Sequence, residues 1–339
     1  MLLTGIFLNK HKKALCISLF VLLLFFITFR NVDAGSTDTG AVYIPLFNKL
    51  KQLEFPYILR NITDFGDSVV FTIFTKLTSY IGNYRFYLFT ISLLFIGSIS
   101  YFIYRYSEHP LLSFVVFFSL YYVLGFYLLR QIISLSILLF SYRYLKDRKI
   151  FKFSIIVILA SLFHSSALIF LLAYPVYNIK LNYKRIIYIL PIIVIIFVLA
   201  PHILDGLVKI FPHNEYLSNL NAYQVSDGWL APLAFFSILS VVSAYFSLKF
   251  DKSDISKLTM LLILGTVFIA LTNSIGEFYR ISIYFTIFSI IIIPNLIEGI
   301  FKMETRNLAS AIITIVFVAY FFFIVVSQND AINYYLQFN

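Results

Sequence analysis

Runs of about 20 apolar residues recur along the chain, separated by short polar or basic turns, and that is the length at which a helix crosses a bilayer. The alternating ten-residue segments of an outer-membrane barrel are not the pattern here. The runs predict an all-α, polytopic membrane bundle of about eleven transmembrane helices, read as a single membrane domain over residues 1–339.

The first run, Ala14 to Phe29, follows Lys10, His11, Lys12 and Lys13 and lacks a small-x-small cleavage site, so it reads as an uncleaved signal anchor. Arg30 ends it and opens an outer loop over 30–85, with Gly35, Gly40, Pro45, Pro56 and Gly66 as turn signals. Residues 68–81 are short and interrupted by Lys76, and are expected as an interfacial helix on the outer leaflet. Spans are expected at 86–104 and 110–128, and a fourth descends to Tyr142. The limbs 150–163 and 166–179 are short for spans, which leaves their apex recessed. Further spans are expected at 186–204, 230–248, 258–275, 281–301 and 308–327, with a second outer loop over 205–229.

Two central hairpins, over 110–179, organise this pattern, because each carries polar groups at its apex. These are Arg130 and Gln131 in the first, and His164, Ser165 and Ser166 in the second. The turn between them, Arg143 to Lys152, is basic and marks a cytoplasmic side, so both apices belong to the opposite face. They form a candidate active-site floor.

Composition confirms the bilayer as solvent: 60% hydrophobic and 12% charged residues, with a mean hydropathy of +0.90, against about a quarter charged in a soluble domain. The net charge of +10 would invite a nucleic-acid reading. Its distribution argues otherwise. With the N-terminus cytoplasmic and the C-terminus outside, most Lys and Arg fall on inner segments and most Asp and Glu on outer ones, as topology requires. The single cysteine, Cys16, lies in the first apolar run, which excludes a disulfide framework and a thiolate metal site. No HExxH or Asp-x-Asp pattern appears, so neither metal nor cofactor is expected.

An arginine at the rim of an apolar hairpin costs from about 2.5 kcal/mol upward with depth, and such residues usually face a cavity or a partner. Arg130 fits that description, although a snorkelling Arg is the bland alternative. Glu277 and Arg280 sit at the apex of another hairpin, and two arginines on one face suit a diphosphate. His164 could be wet at its apex or simply sit beside a Ser cap. Asp33, Asp38, Asp64 and Asp67 lie in the first outer loop, where carboxylates beside Gly usually form turns. For a base at the outer face the candidates are Asp38, Asp67, His164 and Glu277.

The string GFYLLRQIISLSILLFSYRYLKDRKIFKFSIIVILASLFHSSALIFLLAYP resembles the central signature of the EpsG and Wzy-like polysaccharide polymerases, in which an Arg-Gln pair opens one helix and a Phe-His-x-Ser-Ala segment follows a basic turn. Arg30 with GSTDTGAVY at 35–43 is similar to that family's first outer loop, and YRISIYF at 279–285 to its late arginine helix. An acidic residue before the 68–81 helix would be Asp67, and a paired Arg-rich motif in two large outer loops is not visible.

The resemblance implies a multi-span enzyme of the bacterial inner membrane that joins lipid-linked repeat units of O antigen, capsule or exopolysaccharide at the outer face. A growing glycan would pass from undecaprenyl diphosphate to a new unit. Arg130 and Arg280 would then steady the diphosphate, Asp38 or Glu277 would act as base, and His164 as base or diphosphate contact. Gln131, Arg30, Asp67, Tyr279 and Tyr284 would contact substrate. The implied partners are the undecaprenyl-diphosphate-linked oligosaccharide, membrane lipids and a chain-length regulator. A carbohydrate flippase, another membrane glycosyltransferase such as the O-antigen ligase, and a membrane O-acetyltransferase are the rival readings.

Overall fold

The computed structural model describes residues 11–31, 38–66, 68–210 and 230–326. Asp67, most of the second outer loop and the tail beyond 326 lie outside the described residues. Among those described, every regular element is helical. They form two compact units, the first running to Leu168 and resuming at Phe301, the second spanning Ile169–Ile300.

The first unit opens with α1 (Lys12–Phe29), which is followed by a π-helical turn over Thr39–Tyr43, α2 (Ile44–Gln52) and the short α3 (Phe55–Arg60). Then come α4 (Val69–Ile81) and α5 (Tyr84–Tyr106). Ser68 Oγ caps α4 by accepting from the Phe71 N–H at 3.2 Å, and Asn83 Oδ1 caps α5 through Phe86 N–H at 3.1 Å. Each satisfies a backbone donor that a helix start leaves open. Pro110 begins α6 (Pro110–Leu120), where its missing N–H costs nothing. The one-turn α7 (Leu124–Tyr127) leads into α8 (Leu129–Lys146) and α9 (Ile150–Ser161).

The turn joining α8 to α9 explains itself locally. Arg148 adopts a left-handed φ of 56°, and the Lys149 N–H reaches back to the Tyr144 carbonyl at 2.9 Å. That six-to-one bond closes α8 as a Schellman turn.

Helix α5 is the hub of this unit, with α1, α4, α6 and α8 packed around it and Ile91, Phe95, Ile96 and Ile99 fully buried between them. α1 runs antiparallel to α5. Lys12 Nζ donates to the Ser107 carbonyl at 2.7 Å at one end, and Arg85 Nη1 to the Thr28 carbonyl at 3.2 Å at the other.

A 3₁₀ segment, Ser165–Leu172, crosses the boundary, and the second unit continues with α10 (Ala173–Tyr177), α11 (Tyr183–Ile210), α12 (Leu230–Lys249), α13 (Ser253–Leu271), α14 (Glu277–Thr286) and α15 (Ser289–Ile300). α13 is its centre, touched by α10, α11, α12, α14 and α15. Hydroxyl pairs join α12 to α13 through Ser240 with Thr266 at 3.1 Å and through Ser243 with Thr259. Such pairs satisfy polar groups where no water is at hand. Helix α16 (Met303–Tyr320) belongs to the first unit and packs on α6.

By length and composition, six helices among the described residues can cross a bilayer, or seven if α14 and α15, bent by 42°, count as one span. The expected eleven also counted limbs that are shorter. α6 has 11 residues and α9 has 12, which gives about 16–18 Å, roughly half of a hydrocarbon core. α6 stops before the turn at Tyr121–Val123 and α9 before His164, while α8 is long enough but carries Arg130, Arg143 and Lys146.

Candidate functional site

One end of the first unit collects the polar residues. The C-terminal carbonyls of α1 carry the negative end of its dipole, and two arginines occupy them. Arg30 donates through Nη1 to the Ile27 carbonyl, while Arg85 donates through Nη1 to the carbonyls of Thr28 and Arg30. Arg30 is 1% exposed, lies over the Phe126 ring at 5.2 Å and sends Nη2 to the Phe126 carbonyl at 3.3 Å. The Thr39 hydroxyl donates to that same carbonyl. The stretch that follows α1 is therefore fastened to the segment that leads directly into Arg130.

The π-helical turn then places Tyr43. Its ring packs edge-on against Phe71 at 5.8 Å, and its hydroxyl is hydrogen-bonded by Arg130 through both side chain and backbone. Asp38, at the start of the turn, lies within electrostatic reach of the same hydroxyl. Burial pushes the Tyr43 hydroxyl above its usual range, against the opposing pull of the Arg130 cation. The phenol stays protonated at neutral pH and accepts from the guanidinium while keeping a proton to donate. Arg130 itself is half-buried, and Gln131 beside it is 3% exposed. Tyr87 and Thr75 continue the cluster through a long hydroxyl contact of 3.5 Å.

His164 follows α9, half-buried, at the start of the 3₁₀ segment. Ser134 Oγ donates to the Ala160 carbonyl at 2.8 Å and sets the register of α8 against α9. In this antiparallel pair Arg130 and His164 each lie four residues beyond that bond, in the same direction. Both apices thus share one end of the hairpin, and Ser68 Oγ ties the second to α4 by donating to the Leu162 carbonyl at 2.7 Å.

An apolar groove of about 460 Å³ runs from this end between α1, α6 and α16. Leu22, Phe26, Phe114 and Phe321 line it, and Arg30 with Tyr122 supply its polar members.

The second unit holds a separate group. Glu277 and Arg280 form an exposed ion pair at 3.7 Å on the first turn of α14. Tyr279 is half-buried and accepts at its carbonyl from the Ser282 hydroxyl, whereas Tyr284 is 1% exposed within the core.

A family model for EpsG matches residues 13–338, nearly the full chain, and so takes in both groups. The chain belongs to the EpsG family. No curated protein and no solved structure matches it. Membership makes it a multi-pass membrane protein of the polysaccharide-polymerase type.

In the EpsG chain, Tyr43, Thr39 and Arg85 neighbour the candidate residues Arg130 and Asp38 or the segments that carry them, and none of the three stands out in the sequence as an individual. Tyr43 and Thr39 stand in the GSTDTGAVY string, where a tyrosine after three small residues carries no chemical signal of its own. Arg85 opens α5, where it looks like an interfacial anchor. In the sequence Lys76 interrupts an apolar run. Lys76 is 2% exposed, and its ammonium donates to the carbonyls of Leu50 at 2.9 Å and Leu53 at 2.7 Å, above the Tyr80 ring at 4.1 Å. It caps the C-terminus of α2, where a cation is favoured. Among the described residues, no three His, Cys, Asp or Glu side chains come close enough to hold a metal ion.

Proposed function

We propose that the protein polymerises lipid-linked oligosaccharide repeat units at the outer face of the bacterial inner membrane, transferring a growing glycan from undecaprenyl diphosphate to a new unit for O antigen, capsule or exopolysaccharide. One observation carries this reading within the family. Arg130 lies against the Tyr43 hydroxyl, with Asp38 within electrostatic reach of that hydroxyl, at the end of the unit that the positive-inside rule assigns to the outside.

In this mechanism a hydroxyl of the incoming sugar attacks the anomeric carbon of the donor. The bond from that carbon to the diphosphate oxygen breaks, and undecaprenyl diphosphate leaves with the electron pair. Negative charge grows on the departing phosphate, and a fixed guanidinium in a site of low dielectric is the group that stabilises it. Arg130 takes this role, held in place by Tyr43. Asp38 accepts the proton of the attacking hydroxyl, with His164 as the alternative base or a diphosphate contact, and Gln131 and Asp67 orient sugar hydroxyls.

Arg30, spent on backbone carbonyls, fixes the segment before Arg130 and adds positive potential. The groove that reaches it suits the first isoprene units of the lipid. In the second unit we assign Arg280 as a cation for substrate phosphate, Glu277 as a carboxylate base, and Tyr279 and Tyr284 as sugar-facing supports. The remaining partner would be a chain-length regulator.

Purified protein in vesicles, supplied with undecaprenyl-diphosphate-linked repeat units, should produce a ladder of longer lipid-linked glycans. If the units stay single while crossing the bilayer, the protein is a transporter and the polymerase reading is wrong.

A further inference from the structure

The opposite end of α5 carries a second site. α5 is 23 residues long, so about 34 Å separates this end from the Arg85 end. There the last turns of α5 and α8, with α9, enclose a cavity of about 520 Å³, within the range of roughly 300–1,000 Å³ typical of small-ligand sites.

Its lining divides into two halves. Arg105, Arg143 and Lys146 supply the charged half, and their side chains are exposed. The carboxylate among them, Asp147, forms an ion pair with Lys149 at 3.3 Å, so the cavity is net positive. The Tyr106 hydroxyl lies within electrostatic reach of both Arg105 and Arg143, which places the two guanidiniums around a common space. The other half is apolar. Tyr101 and Phe140 stack at 5.9 Å and stand 53% and 51% exposed, on the flanks of α5 and α8.

Cations in the last turn of a helix also serve the helix dipole, and for that purpose alone Arg105 and Arg143 would need no cavity between them. A net positive pocket between helices at the water boundary, continuous with an exposed aromatic wall, has the character of a site for a phosphorylated amphiphile. We propose that this cavity binds the headgroup of an anionic membrane lipid, with Arg105 and Arg143 on its phosphate and Tyr101 and Phe140 against the first carbons of an acyl chain. Paired guanidiniums suit a phosphate better than ammonium groups do. The site lies at the basic end of the first unit, away from Arg130, and does not depend on the proposed reaction.

The test uses the full chain in nanodiscs of phosphatidylcholine, with and without phosphatidylglycerol, followed by native mass spectrometry of retained lipid and a thermal melt. The parent should retain phosphatidylglycerol and melt higher in its presence. Arg105→Gln with Arg143→Gln should lower retention about tenfold or more and abolish the lipid-dependent rise in melting temperature. Lys180→Gln with Lys184→Gln, which removes equal charge from another turn, should behave as the parent.

Equal retention in the parent and the Arg105/Arg143 variant would overturn the proposal, as would an equal loss in the Lys180/Lys184 control. A variant that melts lower by the same amount with and without phosphatidylglycerol, and retains it normally, would reduce both arginines to dipole compensation. Stabilisation of lipid-free protein by inorganic phosphate, with no preference for phosphatidylglycerol, would reassign the cavity to a soluble anion. If the double variant does not fold, each single substitution must lower retention several-fold for the proposal to stand.

Discussion

Ser134 Oγ donates to the Ala160 carbonyl across the α8–α9 pair at 2.8 Å, and this one bond sets Arg130 and His164 at the same end of their hairpin. In the proposed transfer Arg130 is the decisive cation. Arg130→Gln should reduce polymer formation about 10²–10³-fold, the usual loss when one fixed donor to a developing anion is removed. Arg130→Lys should rescue little, because an ammonium lacks the planar fork. The readout is the glycan ladder at matched protein levels, expected to shrink to lipid bearing a single repeat unit. A normal ladder from Arg130→Gln would remove Arg130 from the site.

His164 and Arg280 test the rest of the assignment separately. His164→Ala should shorten the ladder and flatten the acid limb of the pH–rate profile if His164 is the base, since that limb reports the base's titration. Arg280→Gln should slow transfer without altering the melting temperature, because its ion pair with Glu277 is exposed and such pairs contribute about 0–1 kcal/mol. Substantial unfolding by Arg280→Gln would show a structural residue instead.

Lys76 is a claim about stability. Lys76→Met leaves the Leu50 and Leu53 carbonyls without their donor, and an abandoned buried polar group costs about 1–3 kcal/mol. A lower melting temperature and faster proteolysis of the first outer loop are expected. Unchanged melting would mean that the ammonium is not the cap described.

Tyr43 carries a pH dependence. Burial raises its folded-state pKa above the unfolded value of 10.0, so the folded form holds the proton to higher pH than the unfolded form. The contribution is fully present below about pH 10 and is lost as pH rises beyond it. The parent should therefore lose stability above about pH 10 more steeply than Tyr43→Phe, measured by denaturation at matched ionic strength. Parallel curves would mean the hydroxyl is wet.

Gly265 reports on the second unit alone. A Cβ there would stand 2.8 Å from Thr286 Cγ2 and 3.1 Å from the Thr286 backbone nitrogen. Gly265→Ala should destabilise by about 1–3 kcal/mol, the usual cost of overpacking. A stability gain would show that α13 and α14 are farther apart than described.

The helical membrane character and the shared hairpin end of Arg130 and His164 were legible from sequence, because solvent partition and the cost of a charge in hydrocarbon act residue by residue. Partner choice was not. Arg30, Arg85 and Lys76 all look like exposed or interfacial cations in a linear reading, yet each ends on carbonyls, some at the end of its own helix and others tens of residues away. Only the folded chain shows which backbone oxygens a cation will meet. Six or seven of the expected eleven spans are matched among the described residues, because α6 and α9 stop short where the chain turns at Tyr121–Val123 and beside His164.

The Phe126 carbonyl has two lone pairs, and Arg30 and Thr39 both address them. A single rotation of that peptide plane would release the Arg30 and Thr39 contacts in one event. The bolt needs no distant lever, because the amide that turns stands three residues before the Leu129–Arg130 bond.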